Sequence, residues 1–166
     1  MAPSFTCAFC GESHDGLAKD WGWQLPDEVW AIPAETRAIE ARFTSDLCQY
    51  GNRHFIRGVL PIPLTEERNE FFGWGVWAEV EAETFERYLA LYDKDGAAEP
   101  PRPARLANVI KAYDAPLGHP LLLYFSGATS RPWLRVTEQD RSQLAEEQRQ
   151  GMNGHRHHEI SQTLGF

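Results

Sequence analysis

His54-Phe-Ile-Arg-Gly-Val-Leu-Pro-Ile-Pro63 and Phe71-Phe-Gly-Trp-Gly-Val-Trp-Ala-Glu-Val-Glu81 are the stretches that decide the fold. Both are apolar and rich in β-branched and aromatic residues, which suit a pleated, half-buried surface. The second alternates at its far end, with Val76, Ala78 and Val80 on one side and Trp77, Glu79 and Glu81 on the other. The polar link from Thr65 to Glu70 fits a hairpin loop between two strands. Pro61 and Pro63 lack an N–H and place the end of the first strand at a sheet edge. Gly73 and Gly75 let a second backbone or an aromatic ring approach closely.

Working outward, residues 83–94 read as a helix: Phe85, Tyr88, Leu89 and Tyr92 fall at i, i+3, i+4 and i+7, with Glu83 and Glu86 in the first turn. Residues 97–103 form a proline-containing surface loop, and further strands are predicted at 105–113, 121–127 and 133–137. A last helix is predicted from about Gln139 to Gln150, stopping at Gly151, with the polar segment beyond it expected to fray. Thr36 is placed to cap a short helix reaching Phe43, and Asp46-Leu-Cys48 leads into the first long strand. The order of elements predicts an α+β fold: a mainly antiparallel sheet packed by two or three helices, preceded by an N-terminal zinc-knuckle hairpin. The expected organisation is one domain over 1–166. Within it, a knuckle and wrapping loop cover 5–48, a core covers 49–151 and a polar tail covers 152–166.

The chain has 166 residues, 42% hydrophobic and 24% charged, enough for one sizeable core. Its net charge of −8 argues against a general affinity for nucleic acid or anionic membrane. The apolar run from Leu121 to Phe125 is too short to span a bilayer, and the N-terminus carries no basic region followed by an apolar stretch. Three cysteines without framework spacing point to a reducing compartment, and the expected location is the cytoplasm.

Cys7-Ala-Phe-Cys10-Gly-Glu-Ser-His14, with Cys48 further on, brings together the ligand types that zinc prefers. The expected site is a closed structural zinc on Cys7, Cys10, His14 and Cys48, with His54 the competing fourth ligand. Plain buried thiols are the bland reading, since free cysteine packs as a small hydrophobe. A redox role for Cys7 and Cys10 is disfavoured because residues 11–16 do not resemble a helix start, where a dipole would lower the thiol pKa.

Arg57 is a charge inside an apolar strand and Arg131 precedes Pro132. Either fork could hold a carboxylate or phosphate, and either could form an ordinary ion pair with Asp46. Most of the six tryptophans are assigned to the core, and His155, His157 and His158 to a solvated tail rather than a metal-binding tract. Phosphate-loop, dinucleotide-binding, HExxH and GxSxG patterns do not occur.

Cys7-x-x-Cys10-Gly-x-x-His14, Asp46-Leu-Cys48, Phe55-Ile-Arg-Gly58 with Pro61-Ile-Pro63, Gly73-Trp-Gly-Val-Trp77, Phe85-x-x-Tyr88, Arg131-Pro132 and Gln148-Arg-x-Gly151 occur in that order. In this the chain resembles the bacterial family of uncharacterised proteins designated DUF2199, over nearly its whole length. The resemblance implies a shared fold and no particular reaction. One departure stands out: where the family shows a His-Pro-Leu-Ala-like start before the last helix, this chain reads Asp140-Arg-Ser-Gln-Leu144-Ala.

The leading expectation is a non-catalytic binding or interaction protein with a structural Zn2+ and another protein as partner. The alternatives are an enzyme whose polar pocket gathers Asp46, His54, Arg57 and Arg131, or a catalytic zinc in which His54 or water replaces Cys48. Three thiolates weigh against the last by quenching Lewis acidity.

Overall fold

The computed structural model describes residues 19–164 in full, together with the backbone of 5–6 and 13–14. The chain begins with β1 (Phe5–Thr6) and β2 (Ser13–His14), an antiparallel pair in the register Phe5 to His14 and Thr6 to Ser13. The elements that follow are β3 (Asp20–Gly22), α1 (Asp27–Trp30), α2 (Ala34–Glu40), β4 (Ala41–Phe43) and β5 (Leu47–Tyr50). Next come β6 (Arg53–Pro63), β7 (Phe71–Val80), α3 (Ala82–Ala90), β8 (Arg102–Leu106) and β9 (Pro120–Tyr124). β10 (Trp133–Val136), α4 (Gln143–Gln150) and α5 (Gly154–Leu164) complete the order.

The expected hairpin is the spine of the molecule. β6 and β7 pair without a break from His54–Val80 to Pro63–Phe71. Period-two alternation then gives the ribbon two distinct faces. Ile56, Leu60 and Ile62 share one face with Phe72, Trp74, Val76, Ala78 and Val80, all in the main core cluster. Phe55, Arg57 and Val59 share the other with Glu79, Trp77, Gly75 and Gly73.

The α+β class holds, but the sheet does more than stack antiparallel strands. β7 pairs with β8, β8 with β9, β9 with β10, and β10 returns to β6, so these strands and the hairpin close into a five-stranded, barrel-like ring. The closing contact is parallel, between Trp133 and Val59. Gly58 permits it: a Cβ there would stand 2.9 Å from the Leu134 side chain and 3.0 Å from the Pro132 carbonyl. Ala104, Leu106, Leu121, Leu123, Leu134 and Val136 complete the apolar interior. A second parallel pairing joins β3 to β7, and β5 and β4 extend the sheet beyond β6.

Several local expectations shift. The expected wrapping loop before the short helix contains β3 and α1, and the short helix starts at Ala34 and gives way to β4 by Ala41. The strand predicted at 105–113 lies at 102–106, because residues past Leu106 turn to form a 3-10 turn at Lys111–Tyr113. α3 ends at Ala90 rather than at 94; it buries Phe85 and Tyr88 and leaves Leu89 exposed, as is Tyr92 beyond its end.

The largest correction concerns the polar tail. Residues 154–164 form α5, with His157, His158, Ile160 and Ser161 buried. Asn153 starts the helix, its side chain accepting from the Arg156 N–H at 2.9 Å. The reason is tertiary: Met152 N donates to Pro63 O, Thr65 N donates to Met152 O, and the His157 ring packs 5.6 Å from Phe72. Gly151, with φ of +87°, makes the turn between α4 and α5.

Candidate functional site: an arginine-based cavity on the outer face of the hairpin

Three of the sequence words meet at one place. The backbone N–H of Arg57 donates to Asp46 O at 2.9 Å, and that of Val59 donates to Pro132 O at 2.9 Å. Asp46 and Arg131 are thereby brought side by side along the edge of β6 that faces away from β7, next to Arg57. Arg131 Nε donates to Asp46 Oδ1 at 2.8 Å, closing an ion pair beside Arg57.

Arg57 itself is differently placed. It is half-buried, and Nη1 reaches the Ser45 carbonyl only at 3.4 Å. Nε is shielded from solvent and has no hydrogen-bond partner. Burial first, then the positive charge of Arg131, pull its pKa below the ordinary guanidinium value, against the opposing pull of Asp46. Leaving a buried donor unmade costs about 1–3 kcal/mol, so this arginine is held against its own preference.

A cavity of about 490 Å³ opens beside it. Its floor is glycine: Gly22 of β3 lies opposite Gly75 of β7, and Gly73 follows one step along the face. Val59, Phe71 and Trp133 supply apolar wall, and Phe71 and Trp133 meet edge-on with ring centroids 5.5 Å apart. Lys19, Asp20 and Glu70 also line it, and Lys19 is paired with Glu67 at 3.1 Å and Glu70 at 3.5 Å. A smaller hollow of about 250 Å³, with Pro61, Pro63 and Arg135, shares the Phe71–Trp133 wall.

The structure therefore gathers Asp46, Arg57 and Arg131 and excludes His54. His54 stands three residues from Arg57 on one strand and faces the other way, its ring 5.0 Å from Phe85. Sequence reading missed Gly22 and Trp133 as parts of the site. Gly73, Gly75 and the strand parity of 54 and 57 were signals already present in the sequence.

Cys7 and Cys10 lie outside the described residues, as does the His14 side chain. Cys48 is fully buried in a cluster with Leu25, Val29, Ala41, Phe55 and Trp77. Burial pushes its thiol up to about 11. Across the β5–β6 pairing Cys48 sits opposite Phe55 and Gln49 opposite His54, so Cys48 and His54 face opposite sides of the sheet. Among the described residues no group of three or more His, Cys, Asp or Glu side chains is placed to share an ion. No helix among them is long and apolar enough to cross a membrane.

Two further polar side chains hold the frame. Gln148 on α4 is buried; its Oε1 accepts from Val136 N at 2.8 Å, and its Nε2 donates to Leu134 O at 3.1 Å and Pro61 O at 3.3 Å. It bridges β10 and β6, the strands joined by the parallel seam. Asn108 accepts from Trp77 N at 2.8 Å and donates to Leu25 O and Asp27 Oδ1, both at 2.9 Å.

A family model described as "Uncharacterized protein conserved in bacteria (DUF2199)" matches residues 6–152. No curated protein and no solved structure matches the chain.

Proposed function

The chain belongs to this bacterial family of uncharacterised proteins, and from that premise we propose that it is a non-catalytic binding protein whose ligand is a small organic anion held by Arg57. The observation that carries the reading is a guanidinium with an unsatisfied Nε beside a cavity of small-molecule size, 490 Å³. Arg131 serves as a positioning residue, since Asp46 already takes its charge. Lys19, the remaining lining cation, is already taken up by Glu67 and Glu70, which leaves Arg57 as the group to hold the ligand. Calorimetric titration with acetate, benzoate and inorganic phosphate, on the native protein and on Arg57→Met, tests this. Saturable binding that disappears in the variant supports the proposal. Binding that is unchanged in Arg57→Met, or no binding of any anion, overturns it.

A structural zinc on Cys7, Cys10 and His14 is a second, separate proposal. It is supported by the ligand types and spacing of Cys7-x-x-Cys10 and His14, the nitrogen and sulfur donors that zinc prefers. Cys48 has less support as the fourth ligand, because its surroundings are apolar and its thiol is held neutral. A cytoplasmic, reducing setting suits free thiols of this kind. Elemental analysis should find one zinc per chain, lost in Cys10→Ala and kept in Cys48→Ala. Loss in Cys48→Ala would return Cys48 to the ligand set, and absence of metal from the native protein would end the proposal.

A protein partner is the third reading, favoured by the exposure of Trp30 (59%) and Ile39 (85%) on α1 and α2.

A further inference from the structure

Resting on the anion-binding reading of Arg57, we infer that the ligand class is a monocarboxylate with a flat, apolar body. Three independent features of the cavity converge on that description.

The first is the unmade edge of the guanidinium. Nη1 is directed to the Ser45 carbonyl, whereas Nε has no partner and Nη2 donates to no described acceptor. The Nε–Nη2 edge is a planar fork of two parallel donors, which a carboxylate closes with two matched bonds. Nε is shielded and Nη2 lies over the Gly22 backbone, so a ligand meets Nη2 first and a two-bond contact requires the guanidinium to turn.

The second is charge. Lys19 is paired with Glu67 and Glu70, and Arg131 with Asp46, so each of the other lining cations has a carboxylate of its own. Asp20 adds a negative charge at the same opening. Among the described residues, Arg57 is the one lining cation without a carboxylate partner. A single carboxylate matches it, and a doubly charged phosphate meets surrounding acids with too little compensation.

The third is shape. Gly22, Gly73 and Gly75 present backbone rather than side chains, a floor on which a planar group can lie. Phe71 and Trp133 stand edge-on to one another at its border and, with Val59, give the wall aromatic and aliphatic surface. A small aliphatic acid such as acetate would satisfy the fork and leave this surface wet.

The test uses three probes on the full-length protein by titration calorimetry: 2-naphthoate, its neutral amide 2-naphthamide, and inorganic phosphate. Expected is binding of 2-naphthoate at least tenfold tighter than phosphate or the amide. That binding should weaken at least tenfold in Arg57→Met, and also in Trp133→Leu, which leaves the guanidinium untouched. Circular dichroism confirms that both variants remain folded. Phosphate binding that needs Arg57 and equals or exceeds that of naphthoate would overturn the ligand class and keep the anion site. Equal binding of naphthoate and naphthamide would overturn both, as would failure of all three probes to bind.

Discussion

A Cβ on Gly22 would stand 2.6 Å from Nη2 of Arg57, closer than two unbonded atoms can approach. The absence of a side chain on an edge strand is thus what lets a charged group lie flat across its neighbour. Gly22→Ala would leave the backbone conformation allowed, because Gly22 does not take a positive φ, and the clash is relieved by moving the far end of a flexible side chain. It should change stability by no more than about 1 kcal/mol while displacing Arg57 and weakening carboxylate binding about tenfold. Paired thermal melts and titrations check it; unchanged affinity would show that Arg57 does not need this position.

Arg57 is costly to the fold and should behave so. Replacing it with methionine removes a desolvated charge and an unmade donor while retaining an apolar stem. The Arg131–Asp46 pair is left intact. Urea denaturation should show Arg57→Met to be as stable as the native protein or more stable by about 1–2 kcal/mol. A loss of similar size would identify Arg57 as a structural anchor instead.

Gln148 has the opposite character. Its three hydrogen bonds reach β10 and β6, and the amide that makes them is buried. Gln148→Met, close in volume, should destabilise by about 2–4 kcal/mol, measured as a lower denaturant midpoint. A change below about 0.5 kcal/mol, the ordinary surface range, would mean that water replaces the amide at the seam.

Glu79 sets the acid side of the stability profile. Arg53 donates to both of its oxygens, at 2.9 and 2.8 Å, and this hydrogen bonding holds its carboxyl below the usual carboxylate range. Because the folded-state pKa is depressed, the stabilisation is present above the ordinary carboxylate value and is lost as pH falls through the folded one. Glu79→Gln should be less stable by about 1–3 kcal/mol at neutral pH. Its stability should also fall less steeply below pH ~4. Melting temperature followed from neutral pH into acid distinguishes this from a pH-independent loss.

Cys48 should be silent to thiol reagents. A fully buried thiol pushed up to about 11 offers almost no thiolate at neutral pH. Labelling with a chromogenic disulfide should leave Cys48 unmodified in the native protein and reach it on unfolding. Rapid native labelling of Cys48, read by peptide mass, would contradict the packed-thiol reading.

The features legible in the sequence were local ones. Alternation at Val76, Ala78 and Val80 identified the strand and its inner face, since period two follows from backbone geometry alone. The α4 stop at Gly151 was legible because glycine readily takes the positive φ found there. The same parity could have separated His54 from Arg57, three residues apart on one strand. By contrast, α5 was hidden behind its polar composition. Its buried stripe of His157, Ile160 and Ser161 makes sense only against Phe72 and the Pro63–Met152 contact.

What the sequence determined by itself was the two-faced β6–β7 ribbon, the presence of helices beyond it and the identity of Arg57 as a misplaced charge. The tertiary structure decided the rest: closure of the ring through the Trp133–Val59 seam, delivery of Asp46 and Arg131 together to one edge of β6 beside Arg57, and the laying of Gly22 beneath it. The division has a physical cause. Hydrophobic period and turn chemistry are properties of a few consecutive residues, whereas a cavity exists only where segments distant in sequence are brought together by burying apolar surface they cannot bury alone.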